Sequence, residues 1–345
     1  MNLLLTTYPA HKSRNVGDSL ISKSAEALVR THCGDVPITT VFREQPIDDY
    51  VSQGVGAIIA PGFSVANATY PGTFALTRDL QTLPPFYPVG CAIQHADFLN
   101  AGLEGFRYDQ PTLDVLNLIV ERSGAFPCRD QLIVDLLAKF DIPGYYFGDL
   151  GLFDADQIDR PFVAPKRIDS LVFTIAHSPR YAAQSAEMLE HIARAFPKVR
   201  RYAAHHSVPN SSARAIADIA LTHGFEIVEL AGSAENLNFY DNIDVHIGYR
   251  LHGHISFLRR RKPSVLLAED IRSFGFYSTE GTQPNCIPAF RLSDFAADPG
   301  SSATAMTSLL TGIEDGFSSL NSVFSFVDTT YKNVVSPYFS NLKFA

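Results

Sequence analysis

The chain has 345 residues, too long for one ordinary hydrophobic core, so two domains are expected. Hydrophobic residues make up 46% and charged residues 19%, a globular balance that excludes a disordered chain. The formal net charge of −8 argues against general binding to nucleic acid or to an anionic membrane, so an anionic ligand needs a local basic pocket.

No apolar run approaches the roughly 18 residues of a membrane-spanning helix. The opening MNLLLTTYPAHKSRN lacks the basic lead and long apolar stretch of a secretory signal, and reads better as a first buried strand. Cys33, Cys91, Cys128 and Cys286 are far apart and form no Cys-x-x-Cys pair. Without an export signal they are expected as buried free thiols rather than disulfides or zinc ligands.

Along the chain, short apolar runs alternate with helical patterns. Strands are expected at 2–7, 38–42, 56–62 and 86–93, and helices at 19–32 and 131–140; a further strand at 144–149 runs into a loop. The pattern then restarts. Strands at 170–177, 199–205, 225–230, 244–249 and 263–269 alternate with helices at 184–196 and 212–224 and one beginning near Gly253. Uninterrupted apolar strands between amphipathic helices indicate parallel sheets covered on both faces. Both halves start strand, polar loop, helix, so the expectation is α/β with two Rossmann-like domains, 1–160 and 161–345. The boundary is expected in the charged, proline-bearing stretch 154–169. Two such domains facing a cleft would line it with strand ends. The aromatic-rich tail 303–345 is expected to be helical and to pack back on the first domain.

Five segments carry candidate chemistry. In SRNVGDSLI (13–21), Gly17 lets the backbone turn or approach a ligand. Asp18 stands where an N-cap belongs, or is a cleft-facing base; both hold if Ser19 takes the cap. Arg129-Asp130 opens a helix, with Asp130 as its cap and Arg129 at the surface or in the cleft. Asp149, between Gly148 and Gly151, is a turn aspartate or a ligand contact. Arg250 and His252 stand at a strand-to-helix turn, where free N–H groups, the helix dipole and a guanidinium favour an anion. His252 there can donate a hydrogen bond or transfer a proton. His254 is expected to point away, and the basic run 259–262 to face solvent at the far end of that helix. Arg272 falls at the next strand end, in AEDIRSFGF (268–276). Histidines in AHSPR (176–180) and AHHS (204–207) end strands and could line the cleft.

Asn15-x-Gly17-Asp18, Arg129-Asp130, Gly148-Asp149 and Arg250-Leu251-His252-Gly253, followed by Lys262-Pro263, come in an order and spacing that resembles the polysaccharide pyruvyl transferase family over roughly residues 1–280. The resemblance implies a glycosyltransferase-B-like fold and transfer of pyruvate from phosphoenolpyruvate to a sugar as a cyclic ketal. It implies roles for Asp18, Arg129, Arg250 and His252. Two departures stand out: Ala60-Pro61-Gly62 replaces a glycine-rich turn, and Arg272 stands where a lysine is usual. Arginine binds a carboxylate or phosphate directionally but is no proton donor.

The resulting expectation assigns His252 as acid and Asp18 as base. Arg250, Arg272, Arg129, Asn15, Gly17, Gly253 and Asp149 are the substrate contacts. No metal or other cofactor is expected, phosphoenolpyruvate being a co-substrate. The acceptor is an oligosaccharide or lipid-linked glycan, and no nucleic acid is bound. Location is expected to be cytoplasmic, peripheral at the inner face of the cell membrane. Two alternatives stay open: a nucleotide-sugar glycosyltransferase of the same fold, and a non-catalytic carbohydrate-binding protein.

Overall fold

The computed structural model of the protein describes residues 1–7, 14–93 and 105–344. Ser13, which opens the first candidate segment, and Ala345 at the end of the tail lie outside the described residues. The chain forms two compact units. Unit 1 comprises Met1–Ser13, Ile21–Ala155 and Thr329–Ala345; unit 2 comprises Arg14–Leu20 and Asp156–Asp328. Among the described residues no helix is long and apolar enough to cross a membrane. All four cysteines are free thiols; three are buried and Cys33 is partly exposed.

Unit 1 holds strands β1 (Asn2–Thr6), β2 (Ile38–Phe42), β3 (Ala57–Pro61) and β4 (Phe86–Val89) in the order β2-β1-β3-β4, all parallel. A further parallel pair, β5 (Phe126–Cys128) and β6 (Gly144–Tyr146), joins past β4 through the Cys91–Cys128 bridge. Leu3, Leu4, Leu5, Ile58 and Ile59 are buried in the sheet's core, as strands covered on both faces must be. Helix α1 (Val16–Cys33) follows β1, its first residues belonging to unit 2. The short α2 (Asp48–Ser52) precedes β3.

Besides the short α2, a longer helix and a strand of unit 1 are absent from the sequence-based expectation. Helix α3 (Gln110–Ser123) does carry readable signals: Asp109 caps it by accepting from Thr112 N at 2.8 Å, Pro111 sits in its first turn and Gly124 ends it. Strand β5 is three residues long with a proline at its centre, a pattern that disguises a strand. Helix α4 (Gln131–Ala138) runs between β5 and β6.

In unit 2, β7 (Ser170–Thr174), β8 (Arg200–His205), β9 (Glu226–Glu229), β10 (Val245–Gly248), β11 (Ser264–Ala268) and β12 (Cys286–Pro288) form one parallel sheet. Its order, β12-β11-β10-β7-β8-β9, is the doubly wound one. The order reverses between β7 and β10, whose last residues, Thr174 and Gly248, are paired. Helices α5 (Ala182–Ala195), α6 (Ser211–Thr222), α7 (Leu251–Leu258) and α8 (Ile271–Ser278) connect the strands.

The tail divides. Helix α9 (Ser301–Asp315) and most of α10 (Leu320–Thr330) belong to unit 2. Only residues 329–345, including α11 (Ser336–Ser340), belong to unit 1. There Tyr338 Oη donates to Pro88 O at 2.7 Å, and Tyr331 Oη lies 2.9 Å from a His32 ring nitrogen. The tail thus packs on the first unit by its last turns rather than from residue 303.

Candidate active site

The carboxyl ends of β7, β10 and β11 converge at the switch point of unit 2, where open α/β sheets bind ligands. Gly248 ends β10 with φ +148°, and a Cβ there would sit 2.5 Å from Thr174 N. Only glycine permits both the conformation and the approach. The chain then turns into α7 through Arg250, whose N–H donates to Thr174 Oγ1 at 3.1 Å. Helix α7 starts at Leu251, two residues before the expected Gly253, so His252 lies inside its first turn. Gly253 rides over β7, where a Cβ would stand 3.0 Å from Thr174 Cγ2.

Arg250 is 7% exposed. Burial works against the guanidinium's charge, and Glu269 works for it. Glu269 follows β11, with Oε1 3.8 Å from Arg250 Nη1. It accepts from His177 N at 2.9 Å and Ser178 N at 3.2 Å, so it ties the β7 end to the arginine. Burial pushes its carboxyl up to about 7, opposed by Arg250. Nothing in the sequence singled Glu269 out; only the three-strand convergence reveals it.

Arg272 is already engaged. Its Nε and Nη2 both donate to Asp270 Oδ2, at 3.0 and 2.6 Å. Asp270 Oδ1 also caps α8, accepting from Ser273 N at 3.0 Å. Although burial opposes it, Arg272 holds the Asp270 carboxyl well below the usual range.

The loop 14–19 belongs to this unit because its backbone is tied there. Val16 N donates to His206 O at 2.9 Å, and Gly232 N donates to Arg14 O at 2.8 Å. Ser19 Oγ accepts from Ala234 N at 2.9 Å. The cap of α1 is Asn15, not Asp18: Asn15 Oδ1 accepts from Gly17 N at 3.1 Å. The helix begins at Val16, so Asp18 lies in its first turn. There its carboxylate acts electrostatically on Arg250 and Arg272. Gly17 is needed for a reason other than a turn. A Cβ on it would fall 2.1 Å from His252 Nδ1, so the imidazole occupies the space a side chain would fill.

The other histidines separate by partner. His177 is half-buried and held below its usual pKa by burial and by Arg250. His206 is buried with Nε2 2.5 Å from Tyr240 Oη. His254 points into the core; it and His246 are fully buried and share Ser264 Oγ at 2.7 Å each. Among the described residues no three His, Cys, Asp or Glu side chains are grouped to hold a metal ion.

The basic run is structural and only partly solvated: Arg259, Arg260 and Lys262 are partly exposed, while Arg261 is buried. Arg261 is buried, pairs with Asp328, donates to Gln157 O at 3.1 Å and lies 4.9 Å from the Phe324 ring centre. Lys262 Nζ donates to Tyr240 O, Asp241 O and Ile243 O at 2.9, 2.6 and 2.9 Å. The run closes the unit's own backbone because α7 ends against loop carbonyls that need donors.

Arg129, Asp130 and Asp149 form a second buried group, in unit 1. Asp130 caps α4, accepting from Ile133 N at 3.1 Å, and burial raises its carboxyl to about 6 despite Arg129. Arg129 Nε is 3.5 Å from Asp130 Oδ2, and its buried Nη2 meets no acceptor among the described residues. Asp149 Oδ1 accepts from Gly151 N at 2.8 Å, closing the turn after β6. The structure therefore gathers Asn15, Gly17, Asp18, Arg250, His252, Gly253 and Arg272 in unit 2, and places Arg129 and Asp149 together in unit 1.

This geometry can now be set beside known proteins. The fold resembles UDP-GlcNAc 2-epimerase from Neisseria meningitidis bound to UDP-GlcNAc, with 12% identity and a TM-score of 0.51, over 96% of this chain and 100% of that one. It also resembles MnaA from S. aureus, in a co-structure with UDP, with 11% identity and a TM-score of 0.53, over 99% and 98%. At such identity the likeness is one of fold, and it agrees with the glycosyltransferase-B-like, two-Rossmann class. No curated protein matches the sequence. The family model for polysaccharide pyruvyl transferase matches residues 15–271, a span that opens at the cap of α1 and closes at the start of α8. By that match the chain belongs to the polysaccharide pyruvyl transferase family.

Proposed function

We propose that the protein transfers pyruvate from phosphoenolpyruvate to two hydroxyls of a sugar, closing a cyclic ketal on a glycan or a lipid-linked precursor. The observation that carries this reading is the corner where buried Arg250 begins α7 and the His252 ring covers Gly17 beside Asp18. Phosphoenolpyruvate has two anionic ends. Arg250 and the first turn of α7, which begins at Leu251 and contains Gly253, take one, and Arg272 takes the other on loosening its hold on Asp270. Asn15, the cap of α1 beside Gly17 and Asp18, serves the acceptor.

His252 gives a proton to the methylene carbon, leaving an oxocarbenium-like centre at the adjacent carbon. A sugar hydroxyl adds there and yields its proton to Asp18. Phosphate departs and the second hydroxyl closes the ketal. Of the two hydroxyl protons, one restores His252 and the other leaves on phosphate, so the cycle balances. The reaction is written without a metal or other cofactor. Its place is the cytoplasm, at the inner face of the membrane where lipid-linked glycans are built.

The test incubates purified protein with phosphoenolpyruvate and a panel of oligosaccharides and lipid-linked glycans. Acceptor-dependent phosphate release, with a product carrying one pyruvate ketal by mass spectrometry, is expected. Neither event across the panel counts against the reading. Thermal stabilisation by nucleoside diphosphates but not by phosphoenolpyruvate would favour a glycosyltransferase instead. Sugar binding with no anion binding, and a His252→Ala protein that behaves as wild type, would favour a carbohydrate-binding protein.

A further inference from the structure

A fully buried chain of polar side chains runs across the unit 2 sheet to the Arg250 corner. Thr174 Oγ1 lies 2.8 Å from His246 Nε2, and His246 Nδ1 lies 2.7 Å from Ser264 Oγ. Ser264 Oγ lies 2.7 Å from His254 Nδ1, and His254 Nε2 lies 3.7 Å from Cys286 Sγ. Thr174, His246, His254 and Ser264 are all wholly inaccessible to solvent. Burial holds both imidazoles neutral, lowering His246 well below its ordinary value and His254 to about 3.

The protons of this chain can be placed by elimination. Ser264 has one hydroxyl proton and two imidazole neighbours, so one neighbour must donate to it. If His246 Nε2–H donated to Thr174, the Thr174 hydroxyl would accept from both Arg250 and His246, and its own proton would have no recipient in the chain. In the other direction every proton has a place. Cys286 Sγ donates to Thr282 O at 3.3 Å, so it accepts from His254 Nε2–H. Ser264 then donates to His254 Nδ1, His246 Nδ1–H donates to Ser264, and Thr174 donates to His246 Nε2. That turns an acceptor lone pair of Thr174 Oγ1 toward the Arg250 N–H.

We propose that Thr174, oriented by the His246–Ser264–His254 chain, is the positioning residue that sets the Arg250–His252 corner for anion binding. The inference rests on the anion-site reading of that corner. Thr174 touches no substrate; it acts through the backbone of Arg250, whose N–H would otherwise be a buried, unpaired donor at the very start of α7.

Affinity for phosphoenolpyruvate and for inorganic phosphate is measured by calorimetry on the full chain, with thermal unfolding of every variant. Thr174→Val keeps the shape and removes the hydroxyl; Thr174→Ser keeps the hydroxyl and removes the methyl. Thr174→Val is expected to weaken anion binding by about tenfold or more, and Thr174→Ser to stay within about twofold, whichever unfolds first. Equal affinity in Thr174→Val and wild type overturns the inference. So does an equal loss in Thr174→Ser, which would mean that methyl packing matters instead. If Thr174→Val does not fold, Ser264→Ala serves: unchanged affinity in that variant overturns the role of the chain. Nitrogen NMR should show His246 as the Nδ1–H tautomer and His254 as the Nε2–H tautomer, and the opposite pair overturns the direction. A wild-type protein that binds neither anion brings down the anion-site reading itself, a result distinct from all of these.

Discussion

Gly17→Ala makes the sharpest test of how the site is assembled. The new methyl carbon would stand 2.1 Å from His252 Nδ1 and 2.6 Å from its Cγ. An ordinary contact is about 3.5 Å, so ring and helix must part by about 1.4 Å. His252 is 6% exposed and cannot simply swing into solvent. Overpacking of this kind costs about 1–3 kcal/mol, which lowers the melting temperature by several degrees without unfolding the chain. Displacement of a proton donor by more than about 1 Å costs roughly 10²-fold in rate. Gly17→Ala should therefore lose about a hundredfold in kcat, read as phosphate released from phosphoenolpyruvate with the acceptor found by the panel. Gly72→Ala, where a methyl meets nothing within 4 Å, is the control and should match wild type. A Gly17→Ala enzyme with wild-type rate and melting temperature would refute the packing of His252 on Gly17 as a catalytic requirement.

Further outcomes follow from the same contacts. His252→Ala and Asp18→Ala should each abolish turnover while melting near wild type; normal turnover in either removes its assigned role. Glu269 titrates from 4.5 in its ordinary state up to about 7 when folded, so the folded chain holds the extra proton between those values. Its contribution is therefore fully present below about 4.5 and is lost as pH rises toward about 7, by at most about 3 kcal/mol at 1.36 kcal/mol per pH unit. Glu269→Gln should remove that slope from denaturant-unfolding curves taken across the window; an unchanged slope would mean the burial of Glu269 is relieved in solution. Asp270 has the opposite sign: Arg272 and the α8 amides stabilise its charge, so stability is lost as pH falls below about 3.8. Asp270→Asn should destabilise by roughly 1–2 kcal/mol, the pair being partly exposed, and flatten the acid limb of the same curves. Arg261→Ala strands Asp328 and should cost about 3–5 kcal/mol with anion affinity intact, checked by unfolding and calorimetry together.

Much of the candidate site was legible because the elements that build it are local. A strand, a turn and a helix start can be read from a few neighbouring residues, and the Arg250–His252 corner is one such unit. Asp149 also behaves as its two glycines suggest, closing a turn on Gly151. The cap of α1 was misplaced because Asp18 and Asn15 are both good caps, and their ranking depends on where the first turn is pinned. His206 and Gly232 pin it at Val16, and they lie far along the chain. The partners within the basic run 259–262 are not legible because four adjacent cations in sequence carry no sign of the carbonyls that receive Lys262 or of the Asp328 that receives Arg261.

What the sequence by itself determined was the class of fold and the local elements that carry the candidate residues. Parallel strands buried on both faces must be apolar along their whole length, and that pattern survives without coordinates. Tertiary structure alone decided the partners. Gly17 is glycine because of a ring at position 252. Arg250 keeps its charge beside Glu269, and its backbone is held by Thr174. Such pairings join residues through space across strand ends, where periodicity along the chain carries no information.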